Sequence, residues 1–188
     1  MRLTIYTSSS DEVGEPYRST AAALGERIAS RRDELIYGGT AVGLMGVLSA
    51  AVRGGGGRVT GVLPQLMADR GIADDACDEL VVTDGMAGRK QVMMDRADAF
   101  VALPGGFGTL EELFEVLTLK QLGYHRKPIV LMDVAGFFAP LLGLFRHLFE
   151  RRFANPEYAR LYEVVEHLDD LFTYLDAYEP EALPTKWF

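Results

Sequence analysis

Residues 99–103 read AFVAL, an unbroken apolar run, and LPGGFGTLEE begins at its last residue. A strand with one face in water alternates apolar and polar side chains. A strand that does not alternate is covered on both faces. The run is too short for a buried helix and stops at a proline and two glycines. Leu113, Val116 and Leu117 then recur at helical spacing. Strand, glycine turn and helix succeed one another in that order along the chain. Strands are expected at 3–6, 35–37, 59–63, 80–82, 99–103, 128–132 and 164–165. Helices are expected from Pro16 through Ile28, over 42–48, 86–97 and 137–151, after Thr109, and near 169–177. The stretch 64–78 fits neither period. Such alternation predicts the α/β class. The expectation is a single-domain, Rossmann-like fold over 1–188, with a mostly parallel sheet, helices on both faces and an irregular tail at 179–188.

Charge and cysteine usage exclude several kinds of function. The chain has 19 basic and 27 acidic residues, a net charge of −8. A general nucleic-acid binder needs the opposite balance, so no nucleic-acid partner is expected. Cys77 is the one cysteine, so no intramolecular disulfide can form. No stretch approaches the roughly 18 apolar residues that span a bilayer. MRLTIYTSSS has no signal-peptide pattern. The expectation is a cytoplasmic protein without a membrane partner. His125, His147 and His167 lie far apart in sequence, so no metal site is expected either.

Two glycine-rich stretches each lead from a strand into a helix: YGGTAVGLMG from residue 37 and LPGGFGTLEE from residue 103. In doubly wound folds ligands sit beyond the carboxyl ends of the strands. A helix N-terminus there offers free N–H groups and partial positive charge to a phosphate. Neither stretch holds Gly-x-Gly-x-x-Gly, and no Walker lysine follows the second. A single phosphate on a small nucleotide is therefore expected, with no dinucleotide cofactor. A plainer reading of part of the pattern stands beside this one. Thr109 and Glu112 have capping-box spacing, and Gly43 and Gly46 can serve close helix–sheet packing. Arg89-Lys90 at a helix start is unfavourable beside the helix dipole unless an anion lies near. His125 reads as a surface-loop residue. Met93, Met94 and the apolar residues of 137–151 read as core or dimer contact.

PGGFGTLEE resembles the PGGxGTxxE signature of the LONELY GUY (LOG) family. The likeness extends over nearly the whole chain, through YGGTAVGLMG, GVLPQLM, GMAGRK and QLGYHRKPIVLMD. Family members are nucleoside 5′-monophosphate phosphoribohydrolases, long labelled possible lysine decarboxylases. They release a free base, typically a cytokinin, and ribose 5-phosphate without a cofactor. The resemblance implies catalytic roles for Arg89 and Glu112. It implies a phosphate-binding turn of Gly105, Gly106, Gly108 and Thr109. Lys90, Glu111, Thr118 and Gly39 match positions that line or face the ligand. A homodimer is implied, one subunit completing the other's pocket. The chain departs from the pattern at Met86-Ala87-Gly88, where the family has a histidine after the methionine, at Thr40 in place of a glycine, and at Thr7-Ser8-Ser9. Three readings follow: hydrolysis of an N6-substituted adenine nucleotide, hydrolysis of AMP or a similar plain nucleotide, or nucleotide binding without catalysis.

Overall fold

A computed structural model describes residues 1–181. Its seven strands are β1 (Arg2–Tyr6), β2 (Glu34–Tyr37), β3 (Arg58–Pro64), β4 (Glu79–Thr83), β5 (Ala99–Ala102), β6 (Ile129–Met132) and β7 (Glu163–Val165). They form one sheet in the order β4-β3-β2-β1-β5-β6-β7. Every pairing is parallel. Parallel neighbours need a crossover, and here helices supply it: α1 (Glu15–Ser30), α2 (Gly43–Gly54), the single turn α3 (Gln65–Ala68), α4 (Gly85–Arg96), α5 (Phe107–Gln121), α6 (Ala139–Glu150) and α7 (Leu168–Ala177).

The strand order reverses beside β1. From β1 the chain steps outward through β2 and β3 to β4, then returns through α4 to place β5 on the other side of β1. The last register pair of β1 and β5 is Tyr6 with Ala102. Beyond that pair the two chains part, which opens a crevice at the carboxyl ends of the strands.

Alternate strand residues feed two cores. Leu3, Ile5, Leu35, Tyr37 and Val101 pack against α1, α2 and α7. Tyr6, Ile36, Phe100, Ala102 and Leu131 pack against α4, α5 and α6. All of β5 is buried, as its unbroken apolar run requires. The helices α1 and α2 approach closely because Gly25 lies between them. A Cβ on Gly25 would lie 2.6 Å from Ala51 Cβ and 2.7 Å from the Leu48 carbonyl oxygen.

Three local expectations are corrected. Thr109 does not cap α5: Gly106 stands at the N-cap in extended conformation, with no side-chain cap, and Thr109 lies inside the first turn. Gly43 and Gly46 serve loop crossings rather than sheet contact. Their missing Cβ atoms would meet Ser10 N at 2.7 Å and the Ala41 carbonyl carbon at 2.6 Å. The helix expected over 137–151 starts at Ala139, because a 3₁₀ turn at Val134–Gly136, with Ala135 in the left-handed region, comes first. Of the tail expected at 179–188, residues 179–181 form no helix or strand, and 182–188 lie outside the described residues. Among the described residues no helix is long and apolar enough to cross a membrane.

Gly25→Ala tests the α1–α2 contact. Alanine gains about 1 kcal/mol of helix propensity over glycine. Overpacking costs about 1–3 kcal/mol, and one clash here is with backbone that cannot rotate away. A net loss of about 1 kcal/mol is expected, read as a lower midpoint in urea denaturation.

Candidate active site

The crevice beside β1 is a cleft of about 600 Å³, a size typical of small-molecule sites. Gly106, Phe107, Gly108, Thr109 and Glu112 form one wall, all from the start of α5. Ser8 to Asp11 also line the cleft. Gly38 and Arg89 close the floor, and Met45, Met67, Ile72 and Met86 supply an apolar end.

The floor is built around one ion pair. Arg89 reaches in from α4, and its Nε donates to the Val62 carbonyl at 3.1 Å. Its Nη1 lies 2.9 Å from Glu112 Oε1, and both side chains are about nine-tenths buried. A Cβ on Gly38 would land on Arg89 Nη2 and lie 2.8 Å from Met45 Sδ, so the guanidinium fills the space a side chain would take. Glu112 Oε1 is buried, and Arg89 stands close to it but off the hydrogen-bonding direction. The carboxylate is thus balanced in charge while its lone pairs stay available. Burial pushes the Glu112 carboxyl above its ordinary value of 4.5, and the Arg89 charge works against that rise. A carboxylate held between those two effects, in a cleft, has the environment of an acid–base group.

The two glycine loops end in different states. Gly43 N, at the start of α2, donates to Asp11 Oδ1 at 2.9 Å, and Leu44 N donates to the Ser8 carbonyl at 3.0 Å. In α5, Leu110 N donates to the Gly106 carbonyl at 3.0 Å. The N–H groups of Phe107, Gly108 and Thr109 have no acceptor among the described residues. An uncapped helix start with three free donors facing a cleft has the donors and the dipole that an anion needs. Gly105 stands behind this turn. A Cβ there would lie 2.6 Å from Thr109 Cβ, so glycine lets the threonine fold back against the loop.

Of the residues singled out from sequence, Arg89, Glu112, Gly106, Gly108 and Thr109 meet in the cleft. Gly105 supports them from behind. Gly39 is buried at φ +73° against the backbone of Val62, and its carbonyl accepts from Asp74 N at 2.9 Å. It shapes the floor without lining it. Lys90 turns outward and pairs with Glu111, and with Glu115 at 3.2 Å. It therefore ties α4 to α5 outside the cleft, with Glu111 on the same outer face. Thr118 lies farther along α5, in an apolar groove beside Phe114, Leu117 and Phe145.

His125 lies in the surface loop before β6, as expected, but its ring turns inward. Its Nε2 sits 2.9 Å from the Val116 carbonyl, its ring packs on Phe100, and burial drops its pKa to about 4. It is a neutral packing residue. Sequence reasoning passed over Gly38, Asp11, Phe107, Met67 and Ile72, all of which line the cleft. Gly38 carried a signal, as the first member of a glycine pair at a strand end. Asp11 and Ile72 carried none, because their places depend on loops folding across the sheet end. Asp74 holds one such loop. It accepts from Tyr37 Oη, Ser49 Oγ and Arg53 Nη1 at 2.6, 3.0 and 2.8 Å. Among the described residues no cluster of metal-ligating side chains is gathered.

Known proteins share this pattern. A family model described as "Possible lysine decarboxylase" matches residues 45–175. Cytokinin riboside 5′-monophosphate phosphoribohydrolase LOG7 of Arabidopsis thaliana is 41% identical over 180 residues, 96% of this chain and 83% of that protein. The enzyme named LOG of Oryza sativa subsp. japonica is 38% identical over 96% of this chain and 74% of its own. Among solved structures, the molybdenum cofactor carrier protein of Chlamydomonas reinhardtii aligns with a TM-score of 0.72 at 23% identity. It covers 93% of this chain and 95% of that one, and the likeness is one of fold.

The balance at Glu112 can be measured. Arg89→Gln removes the opposing charge, so the Glu112 carboxyl should titrate still higher than in the native protein. Carbon-detected NMR of the glutamate carboxyls reads this directly, and an unmoved midpoint would show that the pair is not coupled.

Proposed function

Because the chain belongs to the LONELY GUY family, we propose that it hydrolyses the N-glycosidic bond of a purine nucleoside 5′-monophosphate. The products are the free base and ribose 5-phosphate. The observation that carries this reading is the buried, charge-balanced Glu112 beside an uncapped helix start in one cleft. Cytokinin riboside monophosphates appear in the names of the relatives, so an N6-substituted adenine nucleotide is the substrate proposed first.

Each group then has a task. The free N–H groups of Phe107, Gly108 and Thr109 bind the 5′-phosphate, with the dipole of α5 behind them. That anchor sets the ribose over Glu112. As the bond from C1′ to the base nitrogen breaks, its electron pair leaves with the base and positive charge builds on the sugar. The Glu112 carboxylate stabilises that charge and takes a proton from the water whose oxygen bonds to C1′. The departing base nitrogen takes up a proton. Arg89 keeps the buried carboxylate ionised and fixes its position. Fixing a phosphate and a reacting carbon together is worth up to about 7–11 kcal/mol in well-oriented systems. The apolar end formed by Met45, Met67, Ile72 and Met86 suits the base and an apolar N6 substituent.

Lysine decarboxylation fits the cleft poorly. Among the described residues no lysine lines it to form an imine, and Lys90 is committed to Glu111 and Glu115. Two copies of the chain pair through the α5–α6 groove, where Phe114 and Phe145 stack edge to face and Thr118 comes within reach of a second subunit. The proposed setting is the cytoplasm.

Base release is to be followed by chromatography from AMP, from its N6-isopentenyl form and from the matching nucleosides. The prenylated monophosphate should be cleaved and its nucleoside should not. Preference for AMP would move the assignment to a plain nucleotide hydrolase, and release from none would move it to a binding protein. Glu112→Gln should cut turnover by at least about 100-fold with the circular dichroism unchanged. The ionised carboxylate is the working form, so activity falls as pH drops through its pKa. Because burial raises that pKa, the acid limb of kcat/KM should lie above 4.5. Phe114→Glu should convert a dimer to a monomer in sedimentation equilibrium. An unchanged mass would dismiss this interface.

A further inference from the structure

Two helices aim their N-termini into the same cleft, and only one is open to a ligand. At α5 three N–H groups face the cleft without a protein acceptor among the described residues. At α2 the chain has supplied its own anion: the Asp11 carboxylate takes the Gly43 N–H at 2.9 Å. Asp11 lines the same cleft as the start of α5, so its negative charge shares that space.

The placement of Asp11 is built, not incidental. Gly43 has φ +58°, and a Cβ there would lie 2.7 Å from both Ser10 N and the Ser8 carbonyl oxygen. Glycine is what lets the segment of Ser8 to Asp11 cross the helix start. Side chains of that segment stiffen it: Ser10 N donates to Ser8 Oγ at 3.0 Å, and Glu12 N donates to Ser10 Oγ at 3.2 Å. Leu44 N closes the other end on the Ser8 carbonyl at 3.0 Å.

We propose that Asp11 is a specificity-determining residue that restricts the cleft to ligands with one phosphoryl group. The inference rests on reading the cleft as a nucleoside 5′-monophosphate site and adds the reason for the number of phosphates. Without Asp11 the Gly43 N–H at the start of α2 would be left as a donor for a second phosphoryl group. With Asp11 in place, the first phosphoryl group finds the α5 amides. A second one in the same cleft meets the Asp11 carboxylate, and like charges repel.

Isothermal titration calorimetry with inorganic phosphate and with pyrophosphate tests this on the full chain. The proteins compared are wild type, Asp11→Asn, which keeps an acceptor for Gly43 N–H, and Asp11→Gly, which frees that donor as well. Asp11 is exposed, and thermal melts verify that both variants fold. The ratio of pyrophosphate to phosphate affinity should rise about tenfold in Asp11→Asn, and at least as much in Asp11→Gly. A ratio unchanged in both variants overturns the proposal. Base release from AMP and ADP is measured on the same proteins. If AMP is cleaved and the preference for it over ADP stays fixed in both variants, the role of Asp11 falls and the hydrolase stands. If no nucleotide is cleaved but the pyrophosphate ratio shifts, the hydrolase reading falls and the role of Asp11 stands.

Discussion

The pairing of β1 with β5 is the constraint from which the site follows. It makes β1 the strand where the sheet changes direction of growth, with outward steps to β4 on one side and to β7 on the other. Loops leaving neighbouring strands toward opposite faces cannot pack on each other, so a crevice must open there. Everything chemical in the chain collects around that gap: the serine loop after β1, Gly38 after β2, and the glycine turn after β5.

Within the gap, the pair of Arg89 and Glu112 is held against its own interest. Burying two charges costs several kcal/mol per ion unless hydrogen bonds and attraction offset it. Here the attraction is present but the alignment is not, and one carboxylate oxygen lacks a hydrogen-bond donor. A stability argument alone would not select such a pair over two packed apolar side chains. Such a pair fits the acid–base role proposed for Glu112 better than a stabilising one. The surrounding packing carries the cost: each fully buried leucine or phenylalanine of the two cores contributes about 1.5–3 kcal/mol.

The fold was legible in the sequence because its signals are local. An apolar run without alternation in β5, glycines at strand ends and a proline opening α1 each state their own structure. The site was legible in part. Gly106, Gly108 and Thr109 announced a turn, and Glu112 followed at a fixed spacing, although the same spacing also suggested a capping box. The cap failed because α5 begins earlier than Thr109, on an extended glycine. Lys90 and Glu111 were expected near the ligand because they match ligand-facing positions of the family the chain resembles. On a helix, neighbours in sequence point about 100° apart, and these two face each other outside the cleft. Asp11 was illegible because what matters is its hydrogen bond to Gly43, a partner 32 residues away.

Arg89 and Glu112 belong to parts of the sheet with different exposure. Glu112 rides on the helix after β5, which is buried throughout. Arg89 rides on the helix after β4, an edge strand that is only half-buried. Edges open at lower free energy than centres, in cooperative pieces. The helix is not free to follow that edge: Met93 of α4 is buried in the core with Phe100 and Leu113, and its carbonyl accepts from Thr4 Oγ1 on β1 at 3.0 Å. The position of Arg89 is thus set from the centre of the sheet, so loosening of β4 by itself leaves the ion pair at the floor of the cleft in place.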